Sequence, residues 1–387
     1  MLAQRITLGN YRNIENAAVE FSPGINVLWG RNAQGKSNLL EGIYFFARGR
    51  SFRGAHDREL IRFGAPEAVL TLDFRLAGAA HPLTLEATLP AGSRRRLREN
   101  GAAVSSAEMI GAFRAVLFCP AHLALVSGAP AMRRSFLDVA LAQLSGSYID
   151  ALGRYEKYLA ERNALLRRAA DGCPVSNAEW ETYAEGMASS GATVAAMRET
   201  YLSMAAVHLR SYFGEMTGGA ETPGVRYDTH AREKGTPLPG AAEGASGFSS
   251  VPDGDAEARL YRLLTTDIER DIAAGTTLHG IHKDDVLLTI NGRESRLYAS
   301  QGQQRSLALA LKLAEGEISR TVTGEYPVFL LDDVLSELDG DRRRYVLRTL
   351  GERQIIVTSC EPALFDEIGS EVRAFRVESG NVTVIRQ

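Results

Sequence analysis

Gly30-Arg31-Asn32-Ala33-Gln34-Gly35-Lys36-Ser37 fits the G-x-x-x-x-G-K-S phosphate-binding pattern at every constrained position. The run before it, Ile25-Asn26-Val27-Leu28-Trp29, reads as a buried strand, and Asn38-Leu39-Leu40-Glu41-Gly42-Ile43 after it as a helix start. Glycines let such a loop curl so that several backbone N–H groups point inward, and the following helix adds its positive end. Lys36 is placed to reach the β- and γ-phosphates of a nucleoside triphosphate, and Ser37 to ligate Mg²⁺. The expected nucleotide-binding set runs from Gly30 through Asn38. A Gly-rich turn matching by chance would lack the strand before it and the helix after it.

Working outward, the 387 residues allow two or three domains. Apolar content of 45% and charged content of 24% are ordinary for a globular chain. No run reaches the length of a membrane span, and Met1-Leu2-Ala3-Gln4-Arg5 lacks a signal-peptide pattern. Cys119, Cys173 and Cys360 form neither a disulfide framework nor a metal spacing, so a cytoplasmic setting with no membrane partner is expected. Net charge is −3, which excludes a uniformly basic nucleic-acid binder. Almost all of the 44 basic residues are nevertheless Arg, with clusters at Arg50, Arg53, Arg58 and Arg62, at Arg94-Arg95-Arg96 and at Arg342-Arg343-Arg344. Guanidinium forks suit phosphate, so a local DNA-binding face is one reading. Codon bias in a GC-rich genome is the plainer one, and composition alone favours it.

Residues 1–118 read as strands around the P-loop helix, with 69–76, 83–89 and 115–118 at strand length. From Ala131 to about Ala170 apolar residues recur in steps of three and four, predicting one helix. Asp171-Gly172-Cys173-Pro174 breaks it, and Ser176 with Glu179 forms a capping box for the next. That helix has its seam at Trp180, Tyr183, Met187, Ser190, Val194, Met197, Tyr201, Met204 and His208. The pair predicts an antiparallel hairpin roughly 45–60 Å long. Residues 218–256 look loop-rich, with one short strand near Val225. A helix over 256–273 follows, then strands at 285–290 and 294–298 joined by Asn291-Gly292, a strong hairpin signal.

Val328-Phe329-Leu330-Leu331-Asp332-Asp333 is an apolar strand ending in two carboxylates. Beside a P-loop such an end holds Mg²⁺, with Asp332 the metal partner and Asp333 placed to orient or deprotonate an attacking water. Ser300-Gln301-Gly302-Gln303-Gln304 opens a further helix reaching to Ile318. Ser300, Gly302 and Gln303 could form a second phosphate-binding helix end. Ordinary N-capping by Ser300 is the simpler reading, but leaves Gly302 in a position where Gly is disfavoured.

The order of P-loop, distant S-x-G-Q signature, and apolar strand ending in two acids followed by Ser336-Glu337-Leu338-Asp339 resembles the ATP-binding-cassette ATPases. The inserted helices narrow the likeness to the branch shared with the structural-maintenance-of-chromosomes proteins. More finely the chain resembles the RecF family, on Asn10-Tyr11-Arg12-Asn13, Leu60-Ile61-Arg62-Phe63-Gly64, Arg133-Arg134-Ser135-Phe136-Leu137-Asp138 and the run from Ser300 to Glu315. The chain departs from that family's pattern at His279-Gly280-Ile281-His282-Lys283-Asp284-Asp285, where G-P-H-R-D-D is usual, and at Pro120-Ala121-His122-Leu123, where P-E-D-L is usual. No metal ligand is assigned at the latter.

The resemblance implies an α/β fold: an ABC-type P-loop ATPase head of residues 1–120 and 276–387, with a helical arm domain, 121–275, inserted. It implies ATP and Mg²⁺ as cofactors. It also implies a head-to-tail homodimer in which Ser300 of one copy faces the phosphate held by Lys36 of another. Binding to gapped or junction DNA, slow hydrolysis, and work with RecO and RecR in loading RecA during repair follow from the same likeness. A transporter-driving cassette ATPase is the rival reading; the long insertion and the lack of any histidine beyond His282 stand against it.

Overall fold

The structure is a computed structural model and describes residues 1–233, 254–351, 353–361 and 372–386. It divides into two compact units, Met1–Ala124 with Ala308–Gln387, and Leu125–Leu307. Among the described residues no helix is long and apolar enough to cross a membrane.

The first unit holds two six-stranded sheets. In one, Ile14–Glu20, Leu2–Tyr11, Glu67–Arg75, Leu83–Pro90, Arg96–Glu99 and Ala102–Ala103 lie side by side, all antiparallel. Period-two alternation sets their inner face: Ala68, Leu70, Leu72 and Phe74 are fully buried. In the other, Ala115–Phe118, Val328–Asp332, Ile355–Ser359, Ile25–Trp29 and Val372–Glu378 run parallel, and Asn381–Arg386 closes the edge antiparallel. Ala115–Phe118, Val328–Leu331 and Ile355–Val357 are apolar and buried throughout, as strands covered on both faces are. The helix Lys36–Arg48 touches strands of both sheets, so Leu39, Leu40, Ile43, Phe45 and Phe46 are all fully buried. Gly42 permits the approach: a Cβ there would stand 2.9 Å from Leu8 Cδ2.

The second unit is built on the long helix Asn177–Thr217, which packs against Gly146–Ala170, Gly254–Thr266 and the strand Pro223–Asp228. At 41 residues it is about 60 Å long. Its capping box is present, with Ser176 accepting from Glu179 N–H and the Glu179 carboxylate accepting from Ser176 N–H. The seam from Trp180 to Tyr201 is buried apart from the half-buried Tyr183. A second face of small residues, Gly191, Ala192 and Ala195 among them, is buried as well. A Cβ on Gly191 would meet Leu260 at 3.2 Å, so this face admits the helix Gly254–Thr266. The helix is therefore flanked on two sides rather than standing as half of a free hairpin.

Several boundaries differ from the expectations. The helix expected over 131–170 is two, Pro130–Ala142 and Gly146–Ala170, because Ser145 caps the second by accepting from Tyr148 N–H at 3.3 Å. The helix expected over 256–273 divides at Asp267, whose carboxylate pairs instead with His279 at 2.8 Å. The strand expected at 294–298 is only Arg293–Glu294; Ser295–Tyr298 turns helical, and Gln304 Nε2 donates to Ala299 O. Of the loop-rich stretch 218–256, residues 234–253 lie outside the described residues. Residues 276–307, assigned above to the head, fall in the second unit. The cause is pairing: Asp285–Ile290 lies antiparallel to Pro223–Asp228, and Arg133 holds Asp285 with two bonds of 2.7 and 2.8 Å.

The His279–Asp285 loop is the polar centre of this unit. Asp284, fully buried, accepts from Tyr227 at 2.6 Å, Thr229 at 2.8 Å and the His230 N–H at 3.0 Å. Arg198 reaches Ile281 O, Tyr148 and Asp138. His282 donates from Nε2 to Thr277 O and accepts at Nδ1 from Tyr155, and burial lowers its pKa to about 4, so the ring is neutral. Beside it Arg162, fully buried, donates to Asp271, Thr277 and Leu264 O. Arg162→Ala would strand the buried Asp271 carboxylate. It is expected to destabilise this unit by about 3–5 kcal/mol, read as a lower urea midpoint in circular dichroism.

Candidate active site

The P-loop closes Ile25–Trp29 onto Lys36–Arg48 through strained backbone that glycine tolerates. Gly35 has φ +113°, and a Cβ on Gly30 would lie 2.3 Å from Val377 O. Ala33, at φ +63°, takes the left-handed conformation at a cost, a feature concentrated at functional sites. The helix has no side-chain cap at Gly35 and no acidic residue in its first turn. Its leading N–H groups are left for an anion, and its positive end meets no protein carboxylate from that turn. Lys36 is buried and donates to Gly30 O at 2.8 Å and Arg31 O at 2.9 Å. An ammonium has three donors, so one remains for a phosphate oxygen.

Backbone from the chain's far end braces this loop. Gln34 O accepts from Gly380 N–H at 2.9 Å, and Gln34 Oε1 from Ser379 N–H at 2.7 Å. Asn13 Nδ2 also donates to Gln34 O, at 3.1 Å, while Asn13 Oδ1 accepts from Asn38. Asn38 in turn accepts from Arg53 at 2.9 Å. Beneath, the fully buried Glu41 takes two bonds of 3.0 Å from Arg12 and one of 2.5 Å from Ser51. Asn13, Arg12, Ser379 and Arg53 were not singled out as site residues. For Asn13 and Arg12 the signal was the Asn10–Asn13 run, which carries its meaning in contacts distant along the chain.

Asp332 ends the strand Val328–Asp332 and Asp333 follows it; the strand is in register with the P-loop strand through Ile355–Ser359 between them. Leu28, Thr358 and Asp332 thus form one row at the carboxyl edge. Thr358 ties the acids together: its hydroxyl donates to Asp332 Oδ1 at 3.0 Å and accepts from Asp333 N–H at 2.9 Å. Thr358 was not among the residues singled out from the sequence. Asp333 adopts φ +55°, turning its carboxyl away from strand geometry. Burial pushes its pKa up, the Lys36 ammonium draws it down, and the Asp332, Glu361 and Glu337 carboxylates push it up again. A carboxylate so raised is a better proton acceptor than an ordinary Asp.

Uncapped helix N–H groups and the Lys36 ammonium suit a triphosphate. Among the described residues no group of three or more His, Cys, Asp or Glu could hold a metal by itself. At the Pro120–Leu123 turn, burial lowers His122 to about 3, helped by Lys312 and Arg48, leaving a neutral ring beside Cys119.

Ser300, Gly302 and Gln303 lie in the second unit. Ser300 Oγ accepts from Gln303 N–H at 3.2 Å, and Gln303 Oε1 accepts from Ser300 N–H at 2.7 Å. This is a capping box, with Gln303 also donating to Glu221 at 2.5 Å. Ser300 therefore does serve as an N-cap, while its side chain remains exposed at the helix start.

A parallel sheet whose edge presents a P-loop and a carboxylate pair, interrupted by a helical unit, defines an ATPase head of the ABC type. Comparison with known proteins agrees. The family described as RecF/RecN/SMC N terminal domain matches residues 2–383. The DNA replication and repair protein RecF of Pelotomaculum thermopropionicum is 37% identical over 389 residues, 99% of this chain and 100% of that one. Its counterpart in Limosilactobacillus fermentum is 34% identical over 99% of both chains. A solved structure of the recombination mediator protein RecF-ATPrS in the RecFOR pathway superposes with a TM-score of 0.89 at 31% identity, covering 99% of this chain and 98% of that one. An Smc head from Pyrococcus furiosus shares the fold at a TM-score of 0.55 and 14% identity. The chain belongs to the RecF family.

Because its folded pKa is raised, Asp333 binds a proton more readily folded than unfolded, so its charge opposes folding at neutral pH. Asn tolerates positive φ and is isosteric. Asp333→Asn is expected to raise the melting temperature of the nucleotide-free protein by on the order of 1–3 °C at pH 8. The gap should narrow on acidification as the wild-type carboxyl protonates. Differential scanning calorimetry across pH checks both.

Proposed function

We propose that this chain is an ATP-dependent DNA-binding recombination mediator of the ABC ATPase type. ATP with Mg²⁺ occupies Gly30–Asn38 and Asp332 and drives a head-to-tail homodimer on gapped or junction DNA. Hydrolysis releases the dimer, and the protein supports RecA loading with RecO and RecR in repair and replication restart, in the cytoplasm. The observation that carries this reading is the row Leu28, Thr358, Asp332 at one sheet edge, with Lys36 acting electrostatically on Asp333. Relatedness to RecF proteins over 99% of the chain supports the rest.

The roles follow from the side chains. Lys36 holds the β- and γ-phosphates, Ser37 and Asp332 hold the cation, and Asp333 receives the proton of the attacking water. Ser300, Gly302 and Gln303 complete a partner's site from an exposed helix start. Asp is one methylene shorter than the Glu usual at position 333, and the strand Ile355–Ser359 carries no histidine. Turnover is accordingly slow, well below the roughly 10 s⁻¹ of a median enzyme. That pace suits a timed clamp.

Two substitutions separate binding from assembly. Lys36→Met should lose ATP affinity and dimer together. Ser300→Arg should keep near-normal affinity for a fluorescent ATP analogue yet sediment as monomer, because the cation meets only the partner's pocket. An ATP affinity in Ser300→Arg as low as in Lys36→Met would contradict assembly in trans.

A further inference from the structure

At the opposite end of the P-loop helix, about 20 Å from Lys36 along 13 residues, the first unit carries an arginine-lined cleft. Its volume is about 750 Å³, and Arg48, Arg50, Arg58 and Arg95 line it. A neighbouring depression of about 420 Å³ adds Arg94 and the hydroxyl-bearing Ser105 and Ser106. The two share Asp57, Ser93 and Arg95, so they form one track with Arg95 at its junction.

The charges in this track are not balanced by the protein. Asp57 is the one carboxylate in either lining, and it pairs with Arg95 at 3.0 Å. Arg95 is fixed further by donation to Gly49 O and by lying over the Phe45 ring. Arg48 Nε is buried without a hydrogen-bond partner among the described residues. Position at a helix C-terminus accounts for Arg48, since a cation is favoured there. Arg58 also lies in the last turn of a short helix, Asp57–Leu60, but helix position does not account for Arg50 or Arg94. Five guanidiniums against one carboxylate, in a chain of net charge −3, mark a local field opposite to the global one.

We propose that this track seats the phosphodiester backbone of a nucleic-acid strand; the proposal rests on the DNA-binding reading above and names its surface. A lone phosphate needs only one or two guanidinium forks. Five along two joined depressions match a repeating polyanion. Few apolar side chains line the larger cleft, which disfavours an acidic peptide anchored by hydrophobic residues. Backbone contact carries no base readout, so recognition here is of charge and path, not sequence.

The test uses the full chain, a fluorescein-labelled gapped duplex and ATP, with anisotropy titrations between 50 and 200 mM salt. Arg50 and Arg58 are exposed, and neither belongs to the P-loop. Arg50→Ala/Arg58→Ala should weaken binding and reduce the slope of log K against log salt by about 2. ATP affinity should stay unchanged, and Arg50→Lys/Arg58→Lys should restore the slope by restoring the charge. An unchanged slope in the Ala pair overturns the assignment while leaving DNA binding intact. Loss of an octaglutamate peptide from the Ala pair, with DNA binding unaltered, overturns it in favour of an acidic partner. Failure of the unsubstituted protein to bind the duplex overturns the DNA-binding reading itself.

Discussion

The constraint on which the first unit depends is the loop Gly30–Gly35, held by its own lysine. Lys36 donates to Gly30 O and Arg31 O, so the cation that serves a phosphate also pins the loop's carbonyls. Close backbone contact then fixes what surrounds it. Gly30 has no room for a side chain against Val377, and Gly380 has none against Asn13 O at 2.4 Å. The ends of a long chain are thus tied to one loop. The acids reach the same edge because three parallel strands keep Leu28, Thr358 and Asp332 in one row.

That arrangement places a destabilising group where chemistry needs it. Asp333 sits at positive φ, where burial and the neighbouring Asp332, Glu361 and Glu337 carboxylates push its pKa up against the pull of Lys36. Function costs stability at such a position. The second unit shows the complementary principle. Its buried Asp284 carboxylate is satisfied several times over, and Arg162 is held through both terminal nitrogens, which ties down a region carrying the signature helix start.

Much of this was legible in the sequence, for local reasons. The P-loop, the capping box at Ser176 and Glu179, the Asn291-Gly292 turn and the period-two strands each encode their geometry within a few residues. Helix breaks at Ser145 and Asp267 were hidden because apolar spacing continues across them, while the decisive bonds, to Tyr148 N–H and to His279, are made by polar side chains. The small-residue face of the long helix was hidden because Ala and Gly give no hydrophobic signal until a partner is known. Thr358 bridges the two acids through a hydroxyl, and a Thr ending an apolar strand looks ordinary. The arginine clusters were visible, but that two separate stretches join into one track was not, and composition favoured codon bias.

We propose that ATP gates a two-copy clamp on DNA. Mass photometry on a gapped duplex, with ATP, with ADP and without nucleotide, tests it most directly. The account predicts two copies per DNA with ATP, and at most one with ADP or none. Equal stoichiometry under all three conditions would contradict it.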